Sequence, residues 1–554
     1  MLGGKFTWYK NYPSDVKTQI EIPLKSLGEI FDDSVAQMPD TIAMIFGSEQ
    51  ISYAQFGEQV NRFATALAAL GIQKGDRVGL MGPNSPQWEV SFFAVLKLGA
   101  IVVQTNPMYV EREISHQMID AGASSMIVWD AIYPQVKAIR NETALKNVIA
   151  FHFGQPAGEF ADVLEYDTLL KQYPPSPPEV KIDPKEDTAV LQYTGGTTGV
   201  SKGVMLTHFN LVANTYQVME WAIDLQYGQE RILTILPVFH VYGMTNCVNY
   251  AVACASTQIV MPRFDATQIL EAIKLYKPTS FPGAPTMYTA INSHPRVGEY
   301  KEDLAGIKVC ISGSAPLPME VAHRFEAITG GGNLVEGYGL SEASPVTHCN
   351  PHGRPSRIGS IGLPFPNTDS TIVDLETGTH ELLPGEIGEL VIKGPQVMKG
   401  YWNKPEETAK ALRDGWLYTG DIAKMDEDGY FYIVDRKKDM ILASGYNIYP
   451  RDIEEVLYEH PKVKEAVAAG IPDQYRGETV KAYIVLKPGE TATEQEFIDY
   501  CRTKLAAFKA PRIVEFRDSL PRTIVGKVLR RVLIDEEKAK LAQMEASATQ
   551  EGDK

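Results

Sequence analysis

The sequence predicts an α/β fold: a large N-terminal domain, residues 1–435, with two doubly wound sheets and a small β-rich subdomain, then an α+β C-terminal domain, residues 436–554. Three observations predict it. The 554 residues exceed what one hydrophobic core can organise. Up to about Asn350, short apolar runs alternate with helix-length amphipathic stretches, the pattern of parallel strands covered on both faces. Beyond it, shorter strands punctuated by glycine take over, followed by an α+β order that closes on a basic amphipathic helix.

The first sheet is read from RVGLM, starting at Arg77, then PQWEVSFFAVLKLGA, AIVVQ, EREISHQMIDAG and SSMIVWD. Asn84-Ser85-Pro86 supplies the cap and first-turn proline of its first helix. The connector YPPSPPEVKIDPKED favours extended chain. TAVLQYT, RILTILP, TQIVM, TSFPG, IKVCISG and NLVEGYG, separated by helical stretches such as ATQILEAIKLYKP, make the second sheet. The β-rich subdomain holds SIGLPFP, GELVIKG and GYFYIVDR, the last entered through the turn Asp428-Gly429. In the C-terminal domain come a helix, RDIEEVLYEH, the strands KEAVAAGI and KAYIVLK, a helix opened by a capping box from Thr493 to Glu496, the strand RIVEFRD and the tail helix.

Composition narrows the function. With 44% apolar and 22% charged residues the chain is globular. No window holds the run of roughly 18 uncharged apolar residues that a membrane span needs. The opening MLGGKFTWYKNYPSDVKTQI scatters its charges and has neither an apolar h-region nor a small-residue cleavage site, so a cytoplasmic protein is expected. Cys247, Cys254, Cys310, Cys349 and Cys501 are odd in number and widely spaced, and are expected as reduced packing residues. The 53 basic and 69 acidic residues leave a net charge of -16, which repels nucleic acid and anionic membranes taken as a whole. Two local basic clusters, Arg436-Lys437-Lys438 and Arg522 to Arg531, adjoin glycines and turns, a placement that suits small phosphate ligands.

The strongest chemical signal is Thr194-Gly195-Gly196-Thr197-Thr198-Gly199-Val200-Ser201-Lys202-Gly203, between the strand VLQY and the helix LTHFNLVANTYQ. Glycines let backbone approach an anion, hydroxyls and amides donate to phosphate oxygens, and the lysine supplies charge. The segment is expected to hold the phosphates of a nucleotide. It is not a Walker A sequence, since Ser201 precedes and Gly203 follows the lysine. A plain glycine and threonine turn is the rival reading.

YTGGTTGVSKGVMLTH resembles the phosphate loop of the acyl-adenylate-forming superfamily, which contains acyl-CoA synthetases, peptide-synthetase adenylation domains and beetle luciferases. PVFHVYG, FPGAPTMY, ISGSAPL, EGYGLSEASP, YTGDIAKMDEDGYFYIVDRKKDMI, SGYNIYPRDIEEVL and PRTIVGKVLRR follow in the family's order, so the resemblance runs from about residue 25 to 535.

What it implies is residue by residue. In Glu336-Gly337-Tyr338-Gly339-Leu340-Ser341-Glu342, Tyr338 would lie against adenine and Glu342 on magnesium, with Thr194 as the second protein contact on that metal. An acidic helix N-terminus capped by Ser341 explains the same residues as well. Gly313, Ser314 and Ala315 would meet the adenine and substrate, and Asp421 and Arg436 the ribose hydroxyls. Lys527 resembles the lysine brought to the α-phosphate and carboxylate, a place where two anions meet and cations are needed; a solvated basic helix face is the plain alternative. Lys438 matches the hinge and Gly445 the pantetheine tunnel of a mobile C-terminal domain; a plain exposed lysine and a turn glycine after a helix are the rival readings. His240 matches an aromatic or histidine gate beside the acyl pocket, or is a satisfied core histidine.

The resemblance thus implies a two-step ligase that uses ATP, Mg2+ and coenzyme A. QTNPMYVEREISHQMIDAGA and FPGAPTMY look like those of bacterial long-chain fatty acyl-CoA ligases, so a long-chain acid is the expected substrate. Medium-chain or aryl acids come second, and loading of a carrier protein third. A P-loop ATPase and an inactive binding module are the rivals from other classes. Family members are often dimers and peripheral to membranes, and both properties enter only through the resemblance.

Overall fold

A computed structural model describes residues 7–158, 160–194, 201–222, 224–331, 334–353, 356–443, 446–473, 477–523 and 526–552. The parallel part of the first sheet runs, in spatial order, Thr188–Thr194, Ile101–Thr105, Arg77–Met81, Ser125–Trp129, Asn147–Phe151 and Leu164–Glu165. Lys202–Thr207 and then Gly400–Tyr401 extend it antiparallel past Thr188–Thr194. In the second sheet the parallel run is Leu334–Gly339, Val309–Ser312, Ser280–Gly283, Arg231–Thr234, Thr257–Val260 and Ile42–Phe46. Antiparallel Glu49–Ser52 edges it on one side, Val346–Cys349 and Leu363–Pro364 on the other.

Two expectations are corrected. TAVLQYT belongs to the first sheet, with Val190 opposite Val102, and the second sheet takes Ile42–Phe46 from the N-terminal region instead. Strands buried on both faces read alike whichever sheet they join, so apolar runs could not assign them. The glycine-rich segment does not lead into a helix. Lys202–Thr207 is a strand, paired from Thr188 opposite Thr207 to Thr194 opposite Lys202. The helix His208–Trp221 starts only after Thr207, where Thr207 Oγ1 accepts from Asn210 N at 3.1 Å and Asn210 Oδ1 from Thr207 N at 3.0 Å.

The largest core joins both sheets. Val78 and Val102 from the first and Met44 and Val260 from the second pack through Phe31, Phe92 and Phe93 of the helices Leu27–Gln37 and Pro86–Lys97. Ser85 caps the latter helix, its Oγ accepting from Trp88 N at 3.3 Å. Asn84 does a different job from the capping expected of the trio. Its Nδ2 donates to the Leu236 carbonyl at 2.9 Å and its Oδ1 accepts from Val238 N at 2.9 Å, which ties the end of a first-sheet strand to the segment leading into His240.

An antiparallel third sheet contains Asp369–Val373, Gly388–Lys393 and Trp416–Met425, with Leu412–Arg413 and Phe431–Arg436 both paired to the long strand. Past it, Val463–Asp473 and Gly477–Leu486 form a hairpin, joined by parallel Ile513–Phe516 and by the pair Ile441–Ala443 and Tyr446–Ile448. This last unit has its own core of Ile441, Ile453, Leu457, Ala468, Ile484, Phe497 and Val514. Thr493 caps its helix through Glu496 N at 3.2 Å, but the Glu496 carboxylate accepts from Lys462 Nζ at 2.7 Å, so the expected box is one-sided. All five cysteines are buried and free of disulfides. Among the described residues no helix is long and apolar enough to cross a membrane.

Candidate active site

A cleft of about 1640 Å³ opens where the carboxyl ends of strands from both large sheets meet the third sheet and the C-terminal loop around Lys527. Open α/β sheets bind ligands at such strand ends because loop backbone and side chains converge there. Its walls bring together most of the residues expected from sequence: Thr194, Lys202, His240, Gly313, Ser314, Gly337, Tyr338, Gly339, Ser341, Glu342, Asp421, Arg436, Lys438 and Lys527. Gly195, Gly196, Thr197, Thr198, Gly199 and Gly445 lie outside the described residues. Ala315 and Glu336 are not on the wall.

Glu336 sits behind it. The residue is buried, its Oε1 accepts from Leu317 N at 3.1 Å, and its Oε2 has no hydrogen-bond partner among the described residues. Burial pushes its carboxyl up to about 7, and Arg451 pulls in the opposite direction. Glu336 therefore holds the ISGSAPL turn rather than facing the cleft. In that turn Gly313 is pressed so closely on Tyr242 that a β-carbon would lie 3.1 Å from its ring, and Ser314 takes φ 70°.

The strand Leu334–Gly339 carries Tyr338, whose hydroxyl donates to Asp421 Oδ2 at 2.5 Å. Asp421 and Arg436 are direct cross-strand partners in the third sheet, with Arg436 Nε 3.3 Å from Asp421 Oδ1. Ser341 opens a single 3-10 turn, Ser341–Ala343, with Leu340 at the cap position and no side-chain cap; the reading of Ser341 as a helix cap is thereby corrected. Glu342 Oε1 accepts from Tyr401 Oη at 2.8 Å. Lys202 Nζ lies 2.5 Å from Glu407 Oε2 and 5.2 Å from the centre of the Tyr401 ring. Thr194, opposite Lys202, accepts at its carbonyl from Ser201 Oγ at 2.6 Å.

His240 caps the short helix Val241–Gly243, its Nδ1 accepting from Tyr242 N at 3.2 Å, which leaves the proton of the neutral ring on Nε2. Burial and then the Lys527 charge push this imidazole down to about 4. Burial, followed by Arg436, likewise pushes Lys527 down to about 7 and Lys438 down to about 8. Arg436, Lys438 and Lys527 thus converge on one wall of the cleft, the two lysines held below their usual values beside the guanidinium, which is what an anionic ligand needs.

Sequence reasoning missed several wall residues. Tyr401, on a two-residue edge strand, gave no periodic signal, and Glu407, off the wall but paired with Lys202, reads as an ordinary helix charge. Gln104 and Gln192 line the cleft with buried Oε1 atoms that have no hydrogen-bond partner among the described residues. Val218, Trp221, Val346, Cys349 and Phe365 form an apolar arm contributed by separate elements. Cys349 Sγ lies 3.9 Å from His352 Nε2; burial pushes the thiol up and the imidazole down to about 4.

Comparison with known proteins gives the same architecture. A long-chain-fatty-acid-CoA ligase of Bacillus subtilis is 48% identical over 96% of this chain and 98% of its own, and one of Escherichia coli O6:H1 is 38% identical over 97% and 99%. The crystal structure of ATP-bound MatB from Rhodopseudomonas palustris superposes with a TM-score of 0.85 at 30% identity, covering 92% of this chain and 99% of that one. The model of the AMP-binding enzyme family matches residues 31–402, and that of the AMP-binding enzyme C-terminal domain residues 452–527. A cleft built at converging strand ends, closed by a half-buried lysine from a separately packed C-terminal unit, belongs to a chain that is a member of the AMP-binding enzyme family.

Proposed function

We propose that this protein joins a long-chain fatty acid to coenzyme A in two steps, through an acyl-adenylate, releasing pyrophosphate and then AMP. One observation carries the reading most strongly: Lys527 stands half-buried on the wall of the same cleft as Glu342, Asp421, Arg436 and the strand ends that flank the glycine-rich segment. Attack of a carboxylate on the α-phosphate brings two anions together, and ammonium and guanidinium groups placed beforehand offset that repulsion where charge builds up. Lys527 would bridge the carboxylate and α-phosphate. Asp421 and Arg436 would hold the ribose, Tyr338 and the Gly313–Ser314 backbone the adenine, and Lys202 the outer phosphates.

The donor set suits Mg2+. Glu342 offers one carboxylate and Thr194 one hydroxyl, and no cluster of three acidic, histidine or cysteine ligands is present among the described residues. Magnesium favours such sparse protein ligation because it keeps substrate phosphates and water as its other ligands. Bound there, the ion supplies neutralising charge to the triphosphate.

The apolar arm of Val218, Trp221, Val346, Cys349 and Phe365 would take the acyl chain, with His240 at its gate. Each methylene it buries stabilises by about 0.8 kcal/mol, so chain length can be selected by depth. The unit from residue 436 onward would pivot at Lys438, withdraw Lys527 and bring Gly445 to the pantetheine of coenzyme A. Dimerisation and peripheral membrane contact belong to this proposal through the family resemblance alone. The glycine-rich segment connects two antiparallel strands, which disfavours a P-loop ATPase, where phosphates sit on a helix N-terminus. A pyrophosphate-release assay with ATP, coenzyme A and carboxylates from two to eighteen carbons tests the reading. Release that rises with chain length, with AMP as product, supports it; ADP formation independent of any acid overturns it.

A further inference from the structure

The strand Gly400–Tyr401 sits between two groups given separate roles above. Its neighbours bind Glu342 on one side, through Met398 N to the Glu342 carbonyl at 2.8 Å. On the other they bind the strand Lys202–Thr207, through Lys399 N to the Met205 carbonyl at 3.0 Å and Trp402 N to the Gly203 carbonyl at 2.8 Å. Tyr401 itself repeats the pattern with its side chain. The hydroxyl donates to Glu342 Oε1 at 2.8 Å, and the ring lies under Lys202 Nζ at 5.2 Å. The backbone that carries the ring is held in place, since Tyr401 N donates to Thr408 Oγ1 at 2.9 Å and Tyr401 pairs with Val204.

We propose that Tyr401 is a positioning residue that orients Glu342 for a divalent cation and Lys202 for the phosphates of the same nucleotide. The proposal rests on the adenylating reading above. A carboxylate carries several lone-pair directions, and a neutral donor fixed on Oε1 sets its plane while leaving Oε2 for a hard cation. A cation over the face of a phenol is attracted by the ring quadrupole, so the same side chain sets where the lysine stands. Glu407 Oε2, at 2.5 Å from Lys202 Nζ, is the anion that an incoming phosphate would replace.

Tyr401→Phe removes the hydroxyl and keeps the ring; Tyr401→Leu removes both. Calorimetry of the full-length chain with ATP, in the absence of acid and coenzyme A, is run once in magnesium and once in EDTA, with thermal unfolding as the check on folding. Tyr401→Phe is expected to weaken ATP binding about tenfold in magnesium and to leave binding in EDTA unchanged, the size usual for groups that orient metal ligands. Tyr401→Leu is expected to weaken both. In a Glu342→Gln background the Tyr401→Phe change is expected to have no further effect, since the carboxylate it orients is gone. Equal losses with and without magnesium, no loss at all, or full additivity with Glu342→Gln would overturn the positioning role. Wild-type binding that ignores magnesium would also overturn it while leaving nucleotide binding intact. Wild type with no affinity for ATP would remove the adenylating reading and this inference together.

Discussion

Gly526 rests directly on Thr286: a β-carbon added at the glycine would lie 2.6 Å from Thr286 Oγ1, and the glycine backbone is at φ 80°. Thr286 belongs to the helix Pro285–Asn292 in the FPGAPTMY segment, so this is where the C-terminal loop next to Lys527 seats on the large domain. Gly526→Ala meets both a clash and a left-handed backbone, which together cost about 1–2 kcal/mol or more. Adenylate formation, followed by pyrophosphate exchange, is expected to fall by at least about tenfold. Thioester formation from supplied acyl-adenylate should change little. Thr286→Ala should restore part of the loss; unimpaired adenylation in Gly526→Ala would show that the contact is not needed.

Lys527→Ala is expected to lower adenylate formation by orders of magnitude and spare the thioester half-reaction. Single-turnover assays of the two halves separate the effects. Equal losses in both would remove the role given to the lysine.

The pH dependence follows from the same side chain. Burial and Arg436 hold Lys527 down to about 7, and its useful form is the ammonium, present below that value. In the free enzyme, kcat/KM for ATP in adenylation should therefore fall as pH rises through about 7. Bound triphosphate adds negative charge and raises the ammonium's pKa, so kcat should fall only at higher pH. Lys527→Arg, charged at every working pH, should lose the falling limb whatever its absolute rate. A wild-type kcat/KM profile that stays flat or rises through neutrality would contradict the assignment.

Lys438→Pro should preserve adenylation and depress thioester synthesis, because the ring fixes φ and removes an N–H at the proposed pivot. The two half-reactions measured on the purified variant decide it. Full thioester synthesis would move the hinge elsewhere.

Much of the fold was legible. Ser85 caps a helix, Asp428-Gly429 turns a hairpin, and the strands around Arg77–Met81 pair in parallel, since each depends on local chemistry within a few residues. What failed depends on distant partners. TAVLQYT is buried on both faces, and nothing inside it names the sheet it joins. Thr207 with Asn210, where the helix after the glycine-rich segment begins, was overrun by the apolar stretch on either side. In the site, Asp421 and Arg436 were found through their motifs and are cross-strand partners, whereas Glu336, in the same motif as Tyr338, is buried behind the wall and bonded to Leu317 N. Two residues apart, they share a face of the strand, so depth separates them: Glu336 is still paired inside the parallel sheet opposite Ser312, whereas Tyr338 lies beyond that pairing, opposite His348. Tyr401 had no local mark at all, since its importance comes from what folds around it.

Cys349 stands on the wall of the cleft beside His352, yet its sulfur stays protonated, because burial raises the thiol and the imidazole beside it is neutral. An activated acyl group is a trap for any thiolate within reach. With Cys247, Cys254, Cys310 and Cys501 also interior, the enzyme offers its own reactive product no sulfur anion to acylate, and the only competent sulfur must arrive from outside.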